Sequence, residues 1–357
     1  MSTQGGRGAR GTALVAIGGN ALVLDGEAGS VDLQVERAAQ FATTIAELVN
    51  DGWSVVVTHG NGPQVGFILR RGELVAPDAT LEGLPPLPLW LAVADSQGGI
   101  GHMLTVAIDS ALLRLGLSTQ AITVLTHAEV DRADPAFGRP TKPIGGQMTT
   151  EIARHRATEE GWAIVETDPG HFRRVVASPI PHHIVESDAI GSLLDGGSVV
   201  VAAGGGGIPV VRDETGWHPI DAVIDKDRAS ALLATQIDID TLVLVTGVDQ
   251  VYVDFNTPDA RALGSVDVTE LRTHLDAGQF PAGSMGPKIQ SAIDFVENGG
   301  SRAIITSLGC LHDAIAGTAG TQLHASTAAP ATTAPSTAEP ATTVPATTTS
   351  RGRGHTA

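Results

Sequence analysis

An α/β fold built on a largely parallel sheet is predicted by three observations. Short runs of Val, Ile and Leu recur along the chain, helix-length amphipathic segments separate them, and glycine-rich turns follow several of the runs. Runs that stay apolar at successive positions suit strands covered on both faces, as parallel strands are. The clearest are ALVAI from Ala13, SVVVT from Ser54, AITVL from Ala121, SVVVAA from Ser198, TLVLVT from Thr241 and RAIITS from Arg302. Helices are predicted over residues 31–50, 89–115, 149–160, 184–194, 227–235 and 287–298. The stretch VDRADPAFGRPTKPIGG, residues 130–146, breaks the alternation with Pro135, Pro140 and Pro143, and is expected to protrude as a loop or small subdomain.

The chain of 357 residues is long enough for one large domain or two apposed lobes. Residues 1–11 and the Ala/Thr/Pro-rich residues 326–357 offer nothing for a core and are expected to be disordered extensions. The domain is thus expected over 12–325, with lobes of about 12–215 and 216–325. A formal charge of -17 argues against general nucleic-acid binding, which needs Lys and Arg along the phosphate backbone. No apolar run is long enough to span a membrane, and the opening MSTQGGRGARGT has no signal-like core, so a cytoplasmic protein is expected. The single cysteine, Cys310, cannot form an intramolecular disulfide and reads as a small apolar residue.

Three glycine-rich turns follow predicted strands: Gly18, Gly19 and Asn20; Gly60, Asn61 and Gly62 within HGNGP; and Gly204, Gly205 and Gly206 within GGGGIP. Any one of them is an ordinary tight turn, but three at strand ends suit a phosphate group approached by backbone N–H. GGGGIP lacks the last glycine of G-x-G-x-x-G and no G-x-x-x-x-G-K-[ST] occurs, so neither a Rossmann dehydrogenase nor a P-loop NTPase is expected.

Lysine is scarce. Of 22 basic residues only Lys142, Lys226 and Lys288 are lysine, in PTKPIG, DKD and SMGPK. Where a phosphoryl group moves, a compact ammonium does what a planar guanidinium does not, although drift in composition with ordinary loop neighbours is the competing account. Asp225 and Asp227 are expected to keep Lys226 protonated and oriented; a solvated surface ion pair is the bland alternative. Pro287 suits the first position of a helix, placing Lys288 at the positive end of its dipole, where a bound anion would relieve the conflict.

AIGGNAL, THGNGPQVG, DPAFGRPTKPIGG, VVASPIP, AAGGGGIPVV, AVIDKDRASALLA, GQFPAGSMGPKIQSAIDFVENGG and a final AGT, in this order between Thr12 and Leu323, resemble carbamate kinase within the amino-acid-kinase family. The resemblance implies a three-layer αβα sandwich with a mainly parallel central sheet and a small protruding lid, paired as a homodimer. It implies reversible phosphoryl transfer, carbamoyl phosphate and ADP giving carbamate and ATP, with Mg2+ carried on the nucleotide. Gly18, Gly19 and Asn20 would surround the transferring phosphoryl and Gly60, Asn61 and Gly62 the carbamate end. Lys226 and Lys288 would neutralise charge, Asp227 would orient the lysines and Lys142 would reach in from the lid. Thr246, Asp249, Tyr252, Gly283 and Met285 would hold ATP or ADP.

Carbamate already carries an anionic oxygen, so this chemistry asks for positioning and charge neutralisation rather than a general base. The adjacent His182 and His183 do not form a zinc site by themselves, and His59 is expected beside the site as wall, not acid. Gly99 and His102 depart from the family pattern, which leaves substrate preference open. The alternatives are a sibling kinase for another small acid or phosphate, and a silent sensor of carbamoyl phosphate or nucleotide; retention of all three lysines argues against the sensor.

Overall fold

The computed structural model describes residues 7–18, 22–23, 30–75, 87–281, 283 and 285–326. Gly19, Asn20 and residues 1–6 and 327–357 lie outside the described residues. The compact unit runs to Ser326.

An eight-stranded sheet is the spine of the molecule. Its order is Ser265–Asp267, Thr321–His324, Arg302–Ser307, Thr241–Thr246, Gly11–Ile17, Trp53–His59, Val199–Val201 and Ala121–Thr123. Neighbours run parallel except Thr321–His324 against Arg302–Ser307. All six strands expected from apolar runs lie in this sheet. Their side chains alternate between two core clusters: Leu14, Val56 and Leu244 face one layer, and Val15, Val57 and Val243 the other. Burial on both faces is why the runs are continuously apolar.

The helices cover both faces. Val31–Asn50 coincides with its predicted span, begun by Ser30, whose Oγ accepts from the Leu33 N–H at 3.4 Å. Leu89–Arg114 packs beside it, so Phe41, Ile45, Ile100, Leu104 and Ile108 share one core. The layer on the opposite face holds Ser187–Asp195, Lys226–Gln236 and Met285–Glu297.

Two expectations are corrected. Residues 130–146 are not an irregular excursion alone: Lys142–Thr149 is a strand, joined in a three-stranded antiparallel sheet to His171–Val176 and Ile164–Asp168, with the helix Thr150–Glu160 attached. Pro143 and the glycines hid it, because the register shifts between Ile144 and Met148 and Gly145 takes a left-handed φ of 67°. The protruding subdomain is therefore larger than predicted. The N-terminal boundary also moves, since Arg7 donates to Asp195 Oδ1 at 3.0 Å and to the Ile237 carbonyl at 3.0 Å, just past the end of Lys226–Gln236.

The subdomain meets the main body where Gly66, on the helix Gly62–Val75, crosses Gly145; a Cβ on Gly66 would lie 2.2 Å from the Gly145 Cα. Backbone against backbone leaves no side chain to yield. Gly66→Ala is expected to destabilise by about 1–3 kcal/mol in urea unfolding, as overpacking does. Gly72→Ala, on the same helix with its nearest neighbour 3.9 Å away, is expected to be neutral or mildly stabilising. Equal effects at both positions would show that the crossing is not tight.

Candidate active site

Four neighbouring parallel strands end on one side of the sheet, and the turns after them deliver Gly18, Gly60, Gly247 and Leu308 to a cavity of about 1090 Å³. This is where open α/β sheets bind ligands. Three helices also begin at its wall: Gly62–Val75, Lys226–Gln236 and Met285–Glu297. Their converging N-terminal ends favour negative charge.

Lys226, Asp227 and Lys288 form the centre. The Lys226 Nζ donates to Asp227 Oδ1 and the Lys288 Nζ donates to Asp227 Oδ2 at 2.7 Å. Asp227 is buried, with 4% of its surface exposed, and the lysine side chains are 12% and 13% exposed. Burial works against its ionised form, yet the two ammoniums hold Asp227 well below the usual carboxylate range. Lys226 is pushed down to about 8, chiefly by burial and further by Lys288, with Asp227 opposing the fall. Burial also works against Lys288, but Asp227 keeps it above the ordinary lysine value. Two ammoniums against one carboxylate leave one buried positive charge, and an anion in the cavity would complete the balance.

The D-K-D triplet is resolved into separate jobs. Asp225 does not clasp Lys226 as expected. It caps the helix, its Oδ1 accepting from the N–H of Asp227 at 3.0 Å and Arg228 at 3.2 Å, while Oδ2 accepts from the Lys142 Nζ at 2.7 Å. Burial opposes it, but Lys142 holds the Asp225 carboxyl below its ordinary value. An N-cap aspartate points back over the first turn, so only Asp227 is free to meet the lysines. The helix at Lys288 starts two residues before Pro287, at Met285, which places Lys288 within the first turn rather than at its second position.

The glycine turns divide in the same way. Gly18, Gly60, Asn61, Gly62 and Gly205 line the cavity. Gly204 and Gly206 are buried behind it: a Cβ on Gly204 would lie 2.4 Å from His59 Nε2, and one on Gly206 2.7 Å from the Ile224 carbonyl oxygen. Gly205 has a left-handed φ of 63°, and a Cβ there would meet Asn61 Nδ2 at 2.0 Å. Asn61 is fixed in turn by donating from Nδ2 to Ser96 Oγ at 2.8 Å. His59 lies beneath this turn; burial pushes it down to about 4, so it is neutral at pH 7, with Nδ1 3.1 Å from the Gly60 carbonyl. That is a packing role and no acid.

The far end of the cavity is formed by Thr246, Tyr252, Gly283 and Met285, whereas Asp249 is exposed and does not line it. Gln250 lines the wall in its place. Sequence reasoning also missed Arg173, Phe255 and Gln279. Phe255 could have been found from its setting: it sits between Asp254 and Asn256, both with positive φ, in a turn that leaves an aromatic 53% exposed with its ring 6.0 Å from that of Tyr252. Gly99 has open space beside it and His102 is exposed, and neither lines the cavity.

The amino acid kinase family matches residues 11–307. A carbamate kinase-like protein of Escherichia coli is 45% identical over 312 residues, covering 87% of this chain and 98% of the relative. The carbamate kinase of Pyrococcus horikoshii is 41% identical over 310 residues, covering 87% and 98%. Among solved structures, the carbamate kinase of Giardia lamblia bound to AMP-PNP superposes with a TM-score of 0.81 at 36% identity, covering 90% of this chain and all of that one, 100%. The chain therefore belongs to the amino acid kinase family, in the branch that holds the carbamate kinases.

Proposed function

We propose that the protein is a carbamate kinase, interconverting carbamoyl phosphate and ADP with carbamate and ATP. The observation that carries this reading is the buried Lys226–Asp227–Lys288 cluster, one positive charge in excess, at the floor of a cavity walled by three helix N-termini. In the ATP-forming direction a terminal oxygen of ADP attacks phosphorus, the bond from phosphorus to the carbamoyl oxygen breaks, and carbamate leaves with that electron pair. No proton need move. The work left to the protein is alignment and neutralisation of charge on the phosphoryl oxygens, which suits Lys226 and Lys288 held by Asp227.

Gly18, Gly60, Asn61 and Gly62 are assigned to the phosphoryl and carbamate side, with Gly205 packed against Asn61. Lys142 closes that side from the subdomain. Thr246, Tyr252, Gly283 and Met285 are assigned to the nucleotide, and Gln250 and Phe255 replace Asp249 there. Among the described residues no three His, Cys, Asp or Glu side chains gather as a metal site, and Asp225 and Asp227 are both engaged by lysines. Mg2+ is assigned to the nucleotide's phosphates, where it would supply charge neutralisation on those oxygens. No described helix is long and apolar enough to cross a membrane. A cytoplasmic homodimer completes the reading.

The test is ATP formation from Mg-ADP and carbamoyl phosphate beside acetyl phosphate and other acyl or phosphoryl donors. Turnover of another donor with none from carbamoyl phosphate would move the assignment to a sibling kinase. The pH profile is a second check. With Lys226 titrating at about 8 in the free protein, the cation is present below that value and lost above it. The ratio kcat/KM is expected to be level up to about pH 8 and then to fall, while kcat, measured with a phosphoryl anion holding the proton on, falls only at higher pH. A kcat/KM that stays level to about pH 10, near the ordinary lysine value, would show that Lys226 is not depressed in the free protein.

A further inference from the structure

A second cavity, about 740 Å³, lies between the helix Gly62–Val75 and the protruding subdomain. It is within the size range of small-molecule sites. Phe67, Leu69, Ile144, Met148 and Ile152 give it an apolar lining, and Trp162 stands in its wall. Two guanidiniums lie over the Trp162 ring, that of Arg174 at 4.4 Å and that of Arg156 at 4.8 Å from its centroid.

The two arginines are not equivalent. Arg156 is committed, donating to Glu73 at 3.2 Å and to Glu160. Arg174 is half-buried, its side chain makes no hydrogen bond or ion pair with any described residue, and its guanidinium lies over the ring. Burial lowers its hold on its proton, and the negative charges of Glu73, Asp221 and Glu160 offset this only in part. A planar, weakly hydrated cation lying on an aromatic ring beside an apolar cavity is what a carboxylate with a flat apolar body would meet. The lining charges limit the ligand further. Arg70, Arg156 and Arg174 are balanced by Glu73, Glu151 and Glu160, so the site suits a single negative charge and disfavours a polyphosphate.

The cavity shares its wall with the active site. Successive side chains of a strand point to opposite faces, and on His171–Val176 Arg173 lines the active-site cavity while Arg174 lines the second one. Arg173 donates to the Gly145 carbonyl at 2.7 Å, on the strand that starts with Lys142. We propose that the second cavity is an effector site for a small aromatic or similarly flat monocarboxylate, seated on Trp162 with its carboxylate on Arg174, which acts on the active site through the strand carrying Lys142.

The probe is 1-naphthoate, with neutral 1-naphthamide as control, titrated calorimetrically into the full chain with the main cavity saturated by Mg-ADP. Saturable binding at one site per chain is expected, unaffected by Mg-ADP and about 10-fold to 100-fold weaker for the amide, the worth of a charge-assisted hydrogen bond. Arg174→Met is expected to lose that preference for the anion. Met148→Trp, which fills the cavity without touching the charge, is expected to weaken both probes; melting temperatures verify that each variant folds. Bound naphthoate should change KM for carbamoyl phosphate while KM for ADP stays put. That kinetic arm rests on the carbamate kinase reading, whereas the binding arms do not. No saturable binding, equal affinity for the amide, displacement by Mg-ADP or indifference to Met148→Trp would each overturn the site. Binding with an unchanged KM would overturn its action as an effector.

Discussion

Asp227→Asn is expected to cost about 3–5 kcal/mol of stability and to leave no measurable phosphoryl transfer, because it removes the carboxylate that two buried ammoniums share. The amide preserves shape and can offer one oxygen, but it no longer offsets either charge. Lys226 and Lys288 would then repel across a site from which most water is excluded, and the less costly response is for Lys226, already down at about 8, to shed its proton. This gives the prediction a sign in pH. A lysine whose folded value lies below its unfolded value of about 10.4 adds stability as pH rises between the two, since the unfolded chain binds more protons there. The melting temperature of Asp227→Asn should therefore recover part of its loss between neutral pH and about pH 10, while activity stays absent because the restored stability comes from a neutral lysine. A variant as stable as the parent at pH 7 would mean that water or another group already balances the lysines.

How far the sequence foretold this cluster depends on which kind of signal each residue carries. The six strands were legible because burial on both faces forces unbroken apolar runs. Ser265–Asp267 and Thr321–His324 were not, because Ser265, Asp267, Thr321, Gln322 and His324 leave neither segment an apolar run. The strand Lys142–Thr149 was hidden by Pro143 and by the left-handed Gly145, which read locally as loop. At the site, the three lysines stood out by rarity, and two of them do converge on one carboxylate. Their pairing was not legible: Asp225 and Asp227 are alike in sequence, and only the helix that begins between them turns one into a cap and leaves the other for the lysines. Gly204 and Gly206 illustrate the opposite error. Their turn looked like a phosphate cradle, whereas their missing side chains make room for His59 and Ile224. Arg173 gave no warning because the two arginines of the HFRRVV segment differ only in which face of a strand they take.

Lys226→Arg is expected to lower kcat by about 100-fold to 1,000-fold while the protein still folds, the scale of losing one preorganised donor to developing charge. The formal charge is unchanged, so a surface ion pair would hardly notice. The structure argues that this position is different. Lys226 opens the helix Lys226–Gln236, and its carbonyl accepts from Ser230 Oγ at 2.6 Å, so the start of the side chain is fixed. Its ammonium meets one oxygen of Asp227 while the Lys288 ammonium takes the other at 2.7 Å. A guanidinium is broader, planar and seeks both oxygens of a carboxylate at once. To do so at Asp227 it must displace Lys288, and to avoid that it must turn away from the phosphoryl group. Either way, on the proposed assignment, one cation is lost from the phosphoryl oxygens. Arg261→Lys is the control, a basic exchange of the same kind at an exposed position on the small strand Arg261–Leu263, far from any role in the cluster. With melting temperature recorded for both, the expected result is a large fall in kcat for Lys226→Arg at nearly unchanged KM for ADP, and none for Arg261→Lys. A kcat for Lys226→Arg within about 3-fold of the parent, less than about 1 kcal/mol of barrier, would show that the position needs only a positive charge and would end its assignment to the transferring phosphoryl.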